Sequence, residues 1–130
     1  MACCYRKGNI SRNAQKEWFL NDAPFFTALV RIIKPKIILC LGRSTFEAVL
    51  HSFHFTMKNR IQSYTRFITS SQNPVQITLE DGQAFHVFAL AHCGALGTMN
   101  RNRGLPYKED PLAYQKQEWM KITEYTGENY

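Results

Sequence analysis

The sequence predicts an α/β domain whose sheet is mainly parallel, and three observations carry this prediction. Residues 36–41 (KIILCL) form a nearly continuous apolar run, which is typical of a strand buried on both faces of a parallel sheet. Apolar residues at helical spacing stand before and after this run, so helix, strand, tight turn and helix follow one another. Residues 75–79 then alternate apolar and polar ahead of an Asp81-Gly82 turn, a pattern that predicts a β-hairpin.

The first helix is predicted from its spacing and its end signals. Apolar residues between positions 26 and 33 recur at i, i+3, i+4 and i+7, which gives the helix one apolar face. Asn13 is the candidate cap at its start, and Pro35 ends it. Pro24 lies inside this segment, so we expect a kink or a division into two pieces there.

Two further helices follow from capping signals. After the strand at 36–41, Gly42 makes a tight turn, and Ser44 with Glu47 has the spacing of a capping box. Near the end of the chain, Asp110 can cap a last helix that has Pro111 at its first position. The sequence therefore indicates a helix on each side of the strand at 36–41 and a last helix after the hairpin.

Length and composition are those of one globular domain, and we treat residues 1–130 as a single domain. No apolar run approaches the roughly 20 residues that cross a bilayer, and the N-terminus does not have the pattern of a secretory signal. The four cysteines include no C-x-x-C pair. We therefore expect reduced thiols, a cytoplasmic location, no membrane association, and no metal or other cofactor.

The chain is basic, with a formal net charge of +6. A basic balance favours polyanionic partners, because Lys and Arg side chains bind phosphates and release counterions. Arg101 and Arg103 stand close together in a Gly- and Asn-rich stretch, and Arg6, Lys7 and Arg12 form a second group. Charge alone also fits a domain that binds no nucleic acid.

Two segments that follow predicted strands are candidate functional sites, because ligands of open α/β sheets bind beyond the carboxyl ends of the strands. The Gly42-Arg43-Ser44 turn presents amide groups at a helix N-terminus and is a candidate phosphate site. It lacks the spacing of known nucleotide-binding loops, so a plain strand-to-helix turn fits as well. His92 ends the returning strand at 84–91 and precedes a loop at 94–104, although a structural histidine is the alternative.

Several segments resemble uracil-DNA glycosylases, above all the iron–sulfur-type branch and its bacterial relatives. The segments are GNISRN at 8–13, Glu17, Pro24, IIKPKIILCLG at 32–42 and ALAHCGALGTMNRNR at 89–103. The family has a C-R-P-P-x-N-R stretch, a P-K-x-I-x-x-L-G strand, and a strand that ends in H-P-S or H-P-G before an Arg- and Asn-rich loop. The order and approximate spacing hold over nearly the whole chain.

The resemblance implies a three-layer α/β/α sandwich and the excision of uracil from DNA by base flipping. His92 matches the catalytic histidine, which hydrogen-bonds the negative charge that builds on uracil as the N-glycosidic bond breaks. The following loop matches the segment that enters the minor groove, with Leu96 as the first candidate for an apolar wedge and Met99 as the second. The implied DNA-binding residues are Gly94, Leu96, Met99, Asn100, Arg101 and Arg103, with the two arginines on phosphates.

The chain also departs from the family pattern. The 130 residues contain no counterpart of the G-E-x-P-G motif, which supplies the family's first strand and its water-positioning residue. The uracil-reading asparagine would fall at or before Met1, and two cluster cysteines would lie upstream, so no iron–sulfur cluster is expected. Cys93 and Gly94 stand where Pro and then Ser or Gly are usual. A sheet that lacks its first strand would have exposed edges, so we expect either that the gene product begins upstream of Met1 or that this form is degenerate or self-associates.

Three hypotheses about function remain open from the sequence. The chain excises uracil from DNA as a glycosylase, or it is a non-catalytic DNA-binding module of the same fold. The third hypothesis is a Rossmann-like domain that binds a nucleotide through Gly42-Arg43-Ser44. DNA is the expected partner under the first two hypotheses.

Overall fold

Five helices and three strands make up the described part of the chain in a computed structural model, which describes the backbone of residues 16–129 and the side chains of residues 20–128. The segment at 8–13, the candidate cap Asn13 and the basic group near the N-terminus lie outside these residues. The helices are α1 (Lys16–Ile33), α2 (Arg43–Ser52), α3 (Tyr64–Thr69), α4 (Ala95–Asn102) and α5 (Ala113–Asn129). The strands are β1 (Ile37–Leu41), β2 (Val75–Thr78) and β3 (Ala84–Leu90).

The three strands form one mixed sheet in the order β1-β3-β2. β1 and β3 are parallel, with Ile37 opposite His86 and Leu41 opposite Leu90. β2 and β3 form the predicted hairpin, and the Asp81 carboxylate accepts a hydrogen bond from the Gln83 amide in its turn. One strand pair is thus parallel and the other antiparallel, so within residues 16–129 the sheet is mixed and has no parallel majority.

Apolar side chains of the sheet point to both faces, as the alternation of strand residues requires. On one face, Phe85, Val87 and Ala89 of β3 belong to the main core, together with residues of α1, α2 and α3. On the other face, Phe88 and Leu90 pack with residues of α5 in a second cluster. β3 is therefore the buried central strand, and its carboxyl end lies between helices.

The expectation that β1 is buried on both faces is wrong for one face. Cys40 is fully buried, but Leu39 and Leu41 are 40% and 36% exposed. The reason is the position of β1 at an edge of the described sheet, where α5 covers the face of β3 more fully than that of β1.

The first helix also differs from the expectation. α1 is one helix that contains Pro24, and it is not divided there. Val30 on its predicted apolar face is buried, whereas Leu29 and Ile33 are exposed. In α2, by contrast, the predicted apolar residues are buried: Phe46, Val49 and Leu50.

The last helix begins two residues later than predicted, at Ala113. The Asp110 carboxylate accepts a hydrogen bond from the Leu112 amide, and the Lys116 side chain donates to the same carboxyl group. Both contacts favour the ionised form, and the bond from Lys116 is the larger cause of the lowered pKa of Asp110. Within residues 16–129, no helix combines the length and the apolarity needed to cross a bilayer.

Candidate functional site

The two strand ends singled out from the sequence lie side by side. The Gly42 amide, just after β1, donates to the Leu90 carbonyl at the end of β3 with a distance of 2.9 Å. A Cβ atom placed on Gly42 would lie 4.0 Å from the Cβ of His92. Because β1 and β3 are parallel, their carboxyl ends bring the Gly42 turn and His92 to one edge of the sheet.

His92 is exposed just beyond the end of the central strand, and its ring has a defined hydrogen bond. The Gly94 amide donates to Nδ1 of His92 with a distance of 2.9 Å. A neutral imidazole has one donor and one acceptor nitrogen, so an accepting Nδ1 leaves the ring proton on Nε2. His92 therefore presents Nε2–H as its donor in the neutral state.

The expectation of a loop at 94–104 is wrong, because this segment contains α4. α4 begins at Ala95, three residues after His92, with Gly94 as its N-cap. Leu96, Met99 and Asn100 of α4 stand at i, i+3 and i+4 on one side, and Arg103, the residue that caps the end of the helix, continues this side at i+7. We call these four residues the outer face of α4.

The outer face of α4 is open to solvent and combines apolar and cationic groups. Leu96 is 75% exposed and Met99 is 65% exposed. The Arg103 guanidinium donates to Oδ1 of Asn100 with a distance of 3.1 Å, and both residues are exposed. Neighbouring apolar side chains that are exposed beside a cationic group make this face a candidate binding surface.

Arg101 does not belong to this surface, and its predicted position on a phosphate needs correction. Its side chain is 6% exposed and forms an ion pair with Glu118 of α5, which is 5% exposed. The ring of Tyr114 lies 5.6 Å from the guanidinium carbon of Arg101. The helical period turns Arg101 inward and Arg103 outward, so Arg103 is the one of these two arginines that is available to a phosphate.

The Gly42-Arg43-Ser44 turn differs from the expectation in two respects. α2 begins at Arg43 and its cap Gly42 makes no side-chain cap bond, so the predicted capping box of Ser44 with Glu47 does not form. Gly42 has a φ of +91°, a backbone conformation that favours glycine. Arg43 donates to Glu47 and to the Ile61 carbonyl, both at 2.8 Å, so its guanidinium is engaged within the protein.

Three side chains that the sequence analysis does not single out form hydrogen bonds at this edge of the sheet: Tyr64, Thr98 and Gln115. The Tyr64 hydroxyl donates to the Leu90 carbonyl with a distance of 2.9 Å, and burial raises the pKa of Tyr64, which keeps the donor protonated. Gln115 and Thr98 form a second contact, which links α5 and α4 to the His92 backbone. A sequence signal exists only for Gln115, which shares one helical side with Glu118 and Ile122 at i, i+3 and i+7.

The two cysteines among the described residues differ in burial. Cys40 is buried in β1, and burial raises the pKa of its thiol to about 12, so it stays protonated at neutral pH. Cys93 is exposed beside His92. Among the described side chains, no three His, Cys, Asp or Glu residues come together as a set of metal ligands.

Comparison with models of known families, with curated proteins and with solved structures finds no match to this chain.

Proposed function

We propose that this chain is a uracil-DNA glycosylase-like protein that binds DNA with the edge formed by His92 and the outer face of α4. One observation carries the proposal: an exposed imidazole with Nε2–H as its donor stands directly before a helix that presents Leu96, Met99 and Arg103 to solvent. A donor for a base and an adjacent apolar and cationic surface are the parts that base flipping requires.

The packing of the helices supports the same proposal at the level of the fold. The sheet carries apolar clusters on both faces, one shared with α1 to α3 and one shared with α5. This arrangement is compatible with the three-layer sandwich that the sequence resemblance implies. A further strand beside β1 would extend the sheet at the edge where Leu39 and Leu41 are exposed.

The chemistry follows from the hydrogen bond that Nδ1 of His92 accepts. As the bond between uracil and its sugar breaks, negative charge builds on the oxygen atoms of the base. A fixed donor aimed at that charge stabilises the transition state more than the ground state. We assign this role to Nε2–H of His92, which Gly94 leaves as the donor.

The surrounding groups take the roles of DNA contacts. Leu96, the more exposed apolar residue, is the proposed wedge that replaces the extruded base in the stack, and Met99 extends the same surface. Arg103 is the proposed phosphate contact, and Asn100 orients its guanidinium. The amide groups of Arg43 and Ser44, at the start of α2, are a second candidate position for a phosphate, since a helix N-terminus favours negative charge. The Gly42 amide is not part of it, because it donates to the Leu90 carbonyl.

DNA binding that weakens with salt is the first test of the proposal. We expect the affinity for duplex DNA to fall steeply with salt, and Arg103→Ala to reduce the slope of log K against log salt by about 1. The measurement is fluorescence anisotropy at several salt concentrations. Arg31→Ala in the last turn of α1 is the matched control and should leave the slope unchanged. This turn contacts Gln83, which stands just before β3 and therefore at the opposite end of that strand from His92. Equal effects of the two variants would remove the outer face of α4 from the proposal.

A second candidate function is DNA binding without excision. It is favoured by the state of the carboxylates near the site, because Glu47 is paired with Arg43 and Glu118 is paired with Arg101. A carboxylate held in an ion pair is poorly suited to activate water, which needs a free acceptor. Under this proposal the edge binds DNA and no base is released.

Uracil release from a duplex with a single uracil separates the two functions. If the chain excises uracil, His92→Ala should lower the single-turnover rate by about 10²–10³-fold, the usual effect of removing one donor to a developing anion. If the chain is a binding module, the unaltered protein releases no uracil but still binds DNA with the expected salt dependence. Neither release nor salt-dependent binding would reject both functions.

A further inference from the structure

The backbone carbonyl of His92 is the point where α4 and α5 meet the candidate site. Nε2 of Gln115, on α5, donates to this carbonyl with a distance of 3.0 Å. Oε1 of the same side chain accepts a hydrogen bond from the Thr98 hydroxyl of α4 with a distance of 3.2 Å. Gln115 is 4% exposed, so both ends of a buried amide are used, and each end contacts a different part of the site.

The backbone of α4 also approaches the same carbonyl closely. A Cβ atom on Gly97 would lie only 2.2 Å from the His92 oxygen, so α4 packs its backbone directly against it. Gln115 and Gly97 together fix the orientation of the peptide plane between His92 and Cys93. The Gly94 amide, which donates to Nδ1 of His92, follows this peptide plane by one residue.

We propose that Gln115 is a positioning residue for His92, which acts through the backbone and does not touch the imidazole. By holding the His92 carbonyl, it keeps the Gly94 amide directed at Nδ1 and thereby keeps the ring proton on Nε2. The consequence for uracil chemistry rests on the function proposed above. The effect on the ring nitrogen atoms does not, and it can be measured without DNA.

The test compares two variants that divide the contacts of Gln115. Gln115→Met keeps a similar volume and removes the donor to His92. Thr98→Val keeps that donor and removes only the bond to Oε1 of Gln115. Nitrogen NMR of the full chain reports the positions of the His92 ring proton, and hydrogen exchange reports the Gly94 amide.

We expect Gln115→Met to raise the exchange rate of the Gly94 amide by about fivefold or more, the factor for one ordinary hydrogen bond. We also expect a signal from His92 with its proton on Nδ1. Thr98→Val should leave both readouts as in the unaltered chain. If the role of Gln115 were purely structural, Gln115→Met would lower the melting temperature. The Gly94 exchange rate and the position of the His92 ring proton would then be unchanged at temperatures well below melting, and this result would overturn the proposal. Equal changes in the two variants would also overturn it.

Two controls keep the test decisive. If Gln115→Met does not fold, the test uses NMR scalar couplings across two hydrogen bonds of the unaltered chain. One hydrogen bond runs from Gln115 to the His92 carbonyl, and the other runs from the Gly94 amide to Nδ1 of His92. Their absence would overturn the proposal and their presence supports it. Uracil release and DNA binding by the unaltered chain are measured separately. The NMR result therefore tests the role of Gln115 even if the chain neither releases uracil nor binds DNA.

Discussion

Glu118→Ala is expected to destabilise the protein by about 3–5 kcal/mol, because it leaves the Arg101 guanidinium buried without its carboxylate. The pair is 6% and 5% exposed and joins α4 to α5, so water cannot replace the lost partner without opening the contact. A small domain has a total stability of about 5–15 kcal/mol. Urea denaturation should therefore show a large fall in the transition midpoint.

A double variant separates the charge from the packing. Replacing both members, Arg101→Met with Glu118→Leu, removes the two charges together and keeps apolar volume between the helices. Such replacements of buried ion pairs are often neutral or stabilising, so we expect most of the lost stability to return. If Glu118→Ala unfolds at nearly the same urea concentration as the unaltered chain, the pair is solvated in solution and its assigned role is wrong.

The same double variant decides how Arg101 relates to DNA. If Arg101 serves only the contact between α4 and α5, the double variant should keep the salt dependence of DNA binding, whereas Arg103→Ala should reduce it. If the double variant reduces the slope of log K against log salt, Arg101 contacts DNA, as the sequence resemblance implies.

The parts of the fold that depend on local patterns could be predicted from the sequence. The hairpin of β2 and β3 follows from alternation and the Asp81-Gly82 turn, and the run at 36–41 gives β1. The exposure of Leu39 and Leu41 could not be predicted, because it depends on which elements stand beside β1. A continuous apolar run indicates a strand but does not say whether that strand is central or lies at an edge.

α4 was missed for an identifiable reason. Gly94, Gly97, Asn100 and Asn102 are poor helix formers, so the segment was predicted as a loop. Packing against α5 compensates for this weak propensity, and a contact between residues 17 positions apart is not visible in a local pattern. Once the helix is known, its period explains why Arg101 points inward and Arg103 outward.

Position 92 could be predicted as a candidate because it ends a strand, but the state of its ring could not. The tautomer depends on the Gly94 amide, and the orientation of that amide depends on the surroundings of the His92 carbonyl. Gln115 stands 23 residues further along the chain. The sequence thus locates the site, and tertiary contacts set its hydrogen bonds.

Gly97→Ala is the change for which general helix propensity and the local structure predict opposite signs. In an ordinary helix position, alanine is favoured over glycine by about 1 kcal/mol. At Gly97, however, the added Cβ would lie 2.2 Å from the His92 oxygen and 2.8 Å from its carbonyl carbon. These are backbone atoms that cannot rotate away, so α4 must shift, and forced overpacking costs roughly 1–3 kcal/mol.

Gly127→Ala is the matched control, because Gly127 also lies in a helix, α5, and its added Cβ would meet nothing within 4 Å. We expect this variant to be as stable as the unaltered chain or more stable in urea denaturation, and Gly97→Ala to be less stable. Because the shift of α4 carries Leu96 and the His92 peptide with it, Gly97→Ala should also weaken DNA binding, whereas Gly127→Ala should not. A stabilised Gly97→Ala would mean that α4 does not approach the His92 carbonyl, and the geometry assigned to the imidazole would then lose its support.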